Sequence, residues 1–94
     1  MVYVDNACIK KFGYRWCHLI ADDILELHEF AETIKVNSNA FHLGAKHPHY
    51  DITASQRFTA LRNGAQPITS KTAVRIAKTT CIHESEKKQY PLFV

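Results

Sequence analysis

The chain has 94 residues and is poor in cysteine, glycine and proline, with three of each. Cys8, Cys17 and Cys81 are odd in number, widely spaced and form no CxxC pair. A secreted disulfide framework needs an even set and a zinc ribbon needs paired spacing, so neither fits. The thiols are expected to be free and buried, in a cytoplasmic protein. Long apolar runs are also missing. None approaches the roughly 18–20 residues of a membrane-spanning helix, which excludes a spanning protein. The first ten residues, MVYVDNACIK, meet an acid at Asp5 and hold no positive region leading into an apolar run, so they do not read as a secretory signal. Apolar residues make up 46% and charged residues 22%, too much of the former for a disordered chain. The length suits one domain, expected over residues 1–83, with residues 84–94 as a tail.

Acids are missing from one stretch. Residues 53–83 hold Arg57, Arg62, Lys71, Arg75 and Lys78 and no aspartate or glutamate, within a chain of net charge +3. Such a segment favours an anionic partner.

Along the chain, residues 1–5 read as a strand, 6–13 as a loop and 14–20 as a second strand. Asp23 with Glu26 fits a capping pattern for a helix over 23–35, whose apolar stripe is Ile24, Leu27, Ala31 and Ile34. Residues 36–48 are irregular, and 49–52 read as a short strand. Thr53 with Gln56 repeats the capping pattern for a helix to Asn63, stopped by Gly64. Residues 66–69 read as a brief strand or linker. Thr69 or Ser70 caps a third helix over 71–80. This order predicts an α/β fold, a small mixed sheet of three to four short strands with about three helices packed on it.

Six histidines are an excess for this length. The densest group is HLGAKHPHYD over residues 42–51, and His47 and His49 would share one face of an extended chain. Imidazole and carboxylate bind borderline metals and move protons near neutral pH. No HExxH or other metal signature is present, so a divalent metal is only an open option. The candidate catalytic residues are His18, His49 and Asp51. Asp5, His28, Tyr50, Ser55 and Arg57 are candidate ligand-binding residues. Ser55 and Arg57 sit near the start of the second helix, where free backbone N–H groups favour an anion. Structural roles compete for several of them. His28 lies on an apolar helix edge, and Asp51 also suits a cap or an Arg57 partner.

The ordered blocks VYVD (residues 2–5), WCHLIAD (16–22), ELHEFA (26–31), HYDI (49–52) and NGAQPIT (63–69) carry a resemblance. Together they resemble DUF4031, a bacterial and phage family of small proteins of unknown function, over about residues 2–78. The resemblance implies a family pattern at Asp5, His18, His28, His49, Tyr50 and Asp51. Members of that family are sometimes found beside phosphohydrolase domains, so the resemblance points toward nucleotide or nucleic-acid metabolism. Residues 52–80 also resemble the latter part of antitoxin-type helix-turn-helix repressors, through Leu61, Asn63, Gly64, Pro67, Ile68, Ala73, Arg75, Ala77 and Lys78. That would turn Ser55, Gln56 and Arg57 toward DNA.

The leading expectation is therefore a cytoplasmic protein that binds a phosphate-bearing ligand, a nucleotide or nucleic acid, through a His/Asp/Arg cluster, with hydrolysis as a further step. The alternatives are a DNA-binding regulator using residues 53–80 and a phage-type protein that modulates a host protein. In the last case the apolar end at Tyr90–Pro91–Leu92–Phe93–Val94 would add a strand to a partner or to a homodimer mate.

Overall fold

A computed structural model describes residues 1–44 and 47–82. The tail expected over 84–94, and His83, lie outside the described residues. In chain order the elements are β1 (Val2–Val4), β2 (Ile9–Lys11), β3 (Tyr14–Ala21), α1 (Ile24–Thr33), β4 (Phe41–His42), β5 (His49–Thr53), α2 (Ala54–Arg62), β6 (Gln66–Pro67) and α3 (Ser70–Ala77). A short 3-10 turn at Ser38–Ala40 precedes β4.

The fold is α/β with three helices, as the sequence implies, but the sheet has six strands rather than three to four. Its order is β4-β5-β3-β1-β6, with β2 also pairing with β3. Both unexpected strands are too short to carry a readable alternation. β2 is IKK with all three residues exposed, so the expected loop over 6–13 is instead half of a hairpin. β4 is only Phe41 and His42. β3 is the centre. It pairs antiparallel with β1 (Val4 opposite Leu19), β2 (Ile9 opposite Trp16) and β5 (His18 opposite Asp51). β1 and β5 consequently run in the same direction, and β6 lies parallel to β1.

Strand alternation divides the residues cleanly. Cys17, Leu19 and Ala21 of β3, Val2 and Val4 of β1, Tyr50 and Ile52 of β5 and Phe41 of β4 join Ile24, Leu27 and Ala31 of α1 and Ala60 of α2 in the main core. Each fully buried side chain of the size of Leu19 or Ile52 contributes roughly 1.5–3 kcal/mol. On the opposite face, Ile20 packs against Ala73 and Ala77 of α3. α3 covers only this part of that face.

Local chemistry sets the helix ends. Thr53 and Gln56 form the reciprocal capping box, and Gly64 takes a left-handed φ of +102° where the chain leaves α2. The Thr69 side chain accepts from the Thr72 N–H to start α3. Asp23 occupies the N-cap position of α1 but makes no side-chain cap bond, contrary to expectation. Main-chain pairing takes that role: Ile24 N–H donates to the Cys81 carbonyl and Cys81 N–H to that of Asp22, both at 2.9 Å. The cysteines are free, but only Cys17 is buried. Cys8 and Cys81 are exposed, because they lie outside the strand that forms the core.

α2 and α3 pack on opposite faces of the sheet, with β6 between them in the chain. They are not the adjacent pair of a helix-turn-helix. The acid-free segment is split in the same way, with Arg57 and Arg62 on α2 and Lys71 and Arg75 on α3.

No helix among the described residues is long and apolar enough to cross a membrane.

Candidate metal centre

His18 and Asp51 face each other across β3 and β5, and His49 stands two residues before Asp51 on the same face. β4 adds His42, which pairs with His49. Asp5 follows β1, held to β3 by its N–H to the His18 carbonyl at 3.0 Å. Five side chains therefore collect on one face of the sheet, over the middle of β3, the first half of β5, the end of β4 and the carboxyl end of β1.

The distances are short. One Asp51 carboxylate oxygen lies 3.7 Å from His18 Nε2 and 3.4 Å from His49 Nε2. Its other oxygen is 3.0 Å from His42 Nε2. One ligand atom each from His18, His49 and Asp51 fall within 4.8 Å of one another. Donors bound tetrahedrally to a cation at 2.0–2.1 Å are separated by about 3.3 Å. The separations from Asp51 to the two imidazoles are close to that edge length.

Two of the rings are oriented from behind. His18 Nδ1 lies 2.7 Å from Asp5 Oδ2, and the other Asp5 oxygen accepts from the His18 N–H at 2.8 Å. Asp5 is 1% exposed. Burial works to raise its carboxyl, but the hydrogen bonds from the His18 ring and main chain outweigh it, and the carboxyl is held below its ordinary range. The bond to Asp5 raises the His18 ring above its ordinary value, against desolvation. His49 Nδ1 is 2.6 Å from the His47 carbonyl, which can only accept. His49 Nδ1 therefore carries a proton, and Nε2 turns toward Asp51. A ring nitrogen held by a carboxylate or carbonyl, with the other facing a shared point, is the arrangement found behind metal-ligating histidines. The hydrogen bond from His49, followed by the charges around it, keeps Asp51 below the usual carboxylate range despite desolvation.

The ring pair His18 and His49 separates two cavities. One, about 380 Å³, is lined by Asp5, His18 and His49 together with Ile20, Ala73, Val74 and Ala77. The other, about 580 Å³, opens between His18, His42, His49 and Asp51 and the side chains of Lys11, Phe12 and Trp16.

Of the residues singled out from the sequence, Asp5, His18, His49 and Asp51 come together here. His28 and Tyr50 do not. They meet on the opposite face, where His28 Nδ1 is 2.7 Å from the Tyr50 hydroxyl beside Phe41. Burial lowers the His28 ring from its ordinary value. Arg57 Nε donates to the Asp5 carbonyl at 2.8 Å, tying α2 to the end of β1, and lines neither cavity. Ser55 is exposed on α2 and lines neither. His42 was not among the expected site residues. It belongs to the histidine-rich run, but only the two-residue β4 brings it over His49, with the rings stacked at 5.4 Å. His47, read as sharing a face with His49, contributes its carbonyl to the His49 ring.

The model of the family described as "Protein of unknown function (DUF4031)" matches residues 2–80. The chain belongs to the DUF4031 family. No curated protein and no solved structure matches it. The residues gathered at the centre all fall inside the span that DUF4031 covers.

Proposed function

We propose that this DUF4031 protein binds one divalent metal ion through His18, His49 and Asp51 and acts on a phosphate-bearing ligand, a nucleotide or nucleic acid, by hydrolysis. The observation that carries the reading is the convergence of two back-oriented imidazoles and one carboxylate within 4.8 Å of one another, with both imidazoles near a tetrahedral edge length from Asp51. Three protein ligands leave a coordination position open, the pattern of catalytic rather than structural sites. A divalent ion held there supplies Lewis-acid polarisation of a phosphoryl oxygen.

The chain's own residues supply the rest. Asp5 holds the His18 ring with its Nε2 directed at Asp51, and the His47 carbonyl does the same for His49. His42 is the most exposed of the three rings around Asp51, at 53% against 31% for His18 and 23% for His49. It stands at the mouth of the larger cavity, where it is placed to give a proton to a departing oxygen. Ile20, Ala73 and Ala77 give the smaller cavity an apolar wall beside the centre.

The test separates holding a metal from using it. Metal-free protein is titrated with zinc and with manganese, followed by histidine NMR and by the fluorescence of Trp16, and then assayed on phosphomono- and phosphodiesters. One ion per chain, with shifts at His18 and His49, is the expected result. His49→Ala abolishes binding in a folded protein. His42→Ala retains the ion and loses at least about a hundredfold in turnover, the usual scale of a lost acid–base group. A folded protein that takes up neither ion overturns the proposal.

A further inference from the structure

The β2–β3 hairpin stands beside the proposed centre and carries chemistry that the centre does not use. Lys10, Lys11 and Arg15 are exposed on it, and residues 6–21 contain no acid. The register sets Lys11 beside Tyr14 on one face of the ribbon and Lys10 beside Arg15 on the other, and all three cations line one hollow at the turn with Phe12, 82% exposed, and Tyr14, 59% exposed. Trp16 is half-buried, its indole N–H donating to the Lys11 carbonyl at 2.8 Å, which fixes the ring. Tyr14 meets it edge-on at 5.8 Å between centroids.

The turn itself is unusual. Phe12 and Gly13 both have positive φ, +54° and +80°, as a tight two-residue hairpin turn requires. Asparagine or glycine suits the first of these positions, and a bulky aromatic there is uncommon and strained. The Phe12 ring gains no burial in return. Lys11 Nζ sits 5.3 Å from its centroid, so a cation and a π face are presented together.

The geometry leads from this patch to the centre. Tyr14, Trp16 and His18 alternate along β3 and share one face, with about 6.8 Å between successive members. That stride is within the backbone reach of one nucleotide. Lys11, Phe12 and Trp16 line the same cavity as His18, His42, His49 and Asp51. Cations along a groove with interleaved exposed rings are the means by which proteins hold unpaired strands. A second copy of this chain is a poor occupant, since a two-fold contact would set the three cations against themselves.

We infer that the hairpin over residues 9–16 is a binding platform for single-stranded nucleic acid: bases stack on Phe12 and Tyr14, Lys11 contacts phosphate on the ring face, Lys10 and Arg15 contact phosphates where the strand crosses the turn, and the strand is led toward the centre. The inference deepens the proposed function and rests on it for the chemistry, but the binding itself needs no metal.

The experiment is a fluorescence-anisotropy titration of a labelled oligothymidylate of about 15 nucleotides, in EDTA, across a salt series. Three phosphate contacts predict a slope of log affinity against log salt of about −2. Phe12→Asn suits the left-handed backbone and so keeps the fold while removing the ring. It and Tyr14→Ala each weaken binding roughly tenfold, the scale of one lost base stack. Lys10→Glu with Arg15→Glu flattens the salt slope. Thymidine monophosphate does not compete, and a duplex of equal length binds more weakly. Absence of binding, equal affinity in the hairpin variants, or competition by the mononucleotide at equal concentration overturns the platform. A zinc titration of the same proteins after removal of EDTA judges the centre independently: zinc uptake without strand binding removes only the platform, and strand binding without zinc uptake removes only the centre.

Discussion

The two faces of one sheet hold the same residue type in opposite conditions. On the covered face, His28 of α1 meets Tyr50 and Phe41 of the sheet, and burial lowers its ring from the ordinary histidine value. On the open face, His18 of β3 has Asp5 behind it, and that carboxylate raises it. Tyr50 and its neighbours His49 and Asp51 are adjacent in sequence and lie on opposite sides. Desolvation alone makes a histidine neutral and inert. Desolvation shared with a carboxylate makes a polarised ring with a fixed tautomer. The strand period sets His18 and His49 on the open face, and helix α1 brings His28 to the covered one.

Substitutions on each face should therefore fail differently. The largest effect on stability is expected on the covered face. Leu19→Ala, at a fully buried position, should cost about 3 kcal/mol in a denaturant titration. His49→Ala on the open face should stay within about 1 kcal/mol of the parent while losing its metal. Equal destabilisation by both would dissolve the comparison.

Next in size is Asp5→Asn. It leaves His18 in place but removes the carboxylate that orients the ring, and zinc affinity should fall roughly 10- to 100-fold with no change in stoichiometry. Calorimetry on metal-free protein reads this directly.

A smaller effect separates the faces by pH. The folded value of His28 is depressed, so the unfolded chain binds its proton more readily. The stability that comes from keeping His28 neutral is full above about pH 6.5 and is lost as pH falls through the depressed folded value. His28→Gln should flatten the fall in melting temperature over that window. An unchanged slope would show that His28 does not titrate in the way its surroundings dictate. His18 carries the opposite sign: its ring gains stability from the Asp5 pair below the unfolded value and loses it as pH rises through the raised folded one.

The smallest effect lies at the hairpin turn. Phe12→Asn relieves a left-handed phenylalanine and should stabilise the protein by about 0.5–1 kcal/mol, seen as a higher melting temperature. Stability gained as strand binding is lost would mark Phe12 as a residue kept for contact.

Much of this was legible in the residues. The caps at Thr53 and Thr69 and the stop at Gly64 are local chemistry, and they fall where the sequence places them. The cluster of His18, His49 and Asp51 was readable as residue types. Their convergence required the pairing of β3 with β5, a long-range register that no local pattern carries. His42 was hidden because β4 has two residues and no periodicity to read. His28 and Tyr50 were placed with the site on family resemblance, although the period of two in HYD already separates Tyr50 from its neighbours. Asp23 looked like a cap, but the main chain around Cys81 takes that place. The acid-free segment read as one positive surface and is divided by the sheet, because helices on either side of a short strand need not share a face.

The central claim is that the open face holds one metal ion. The most direct measurement is zinc stoichiometry by equilibrium dialysis of metal-free parent and His49→Ala proteins, both shown to be folded by circular dichroism. The account predicts one zinc per chain in the parent and none in the variant. No zinc in the folded parent, or one in both, contradicts it.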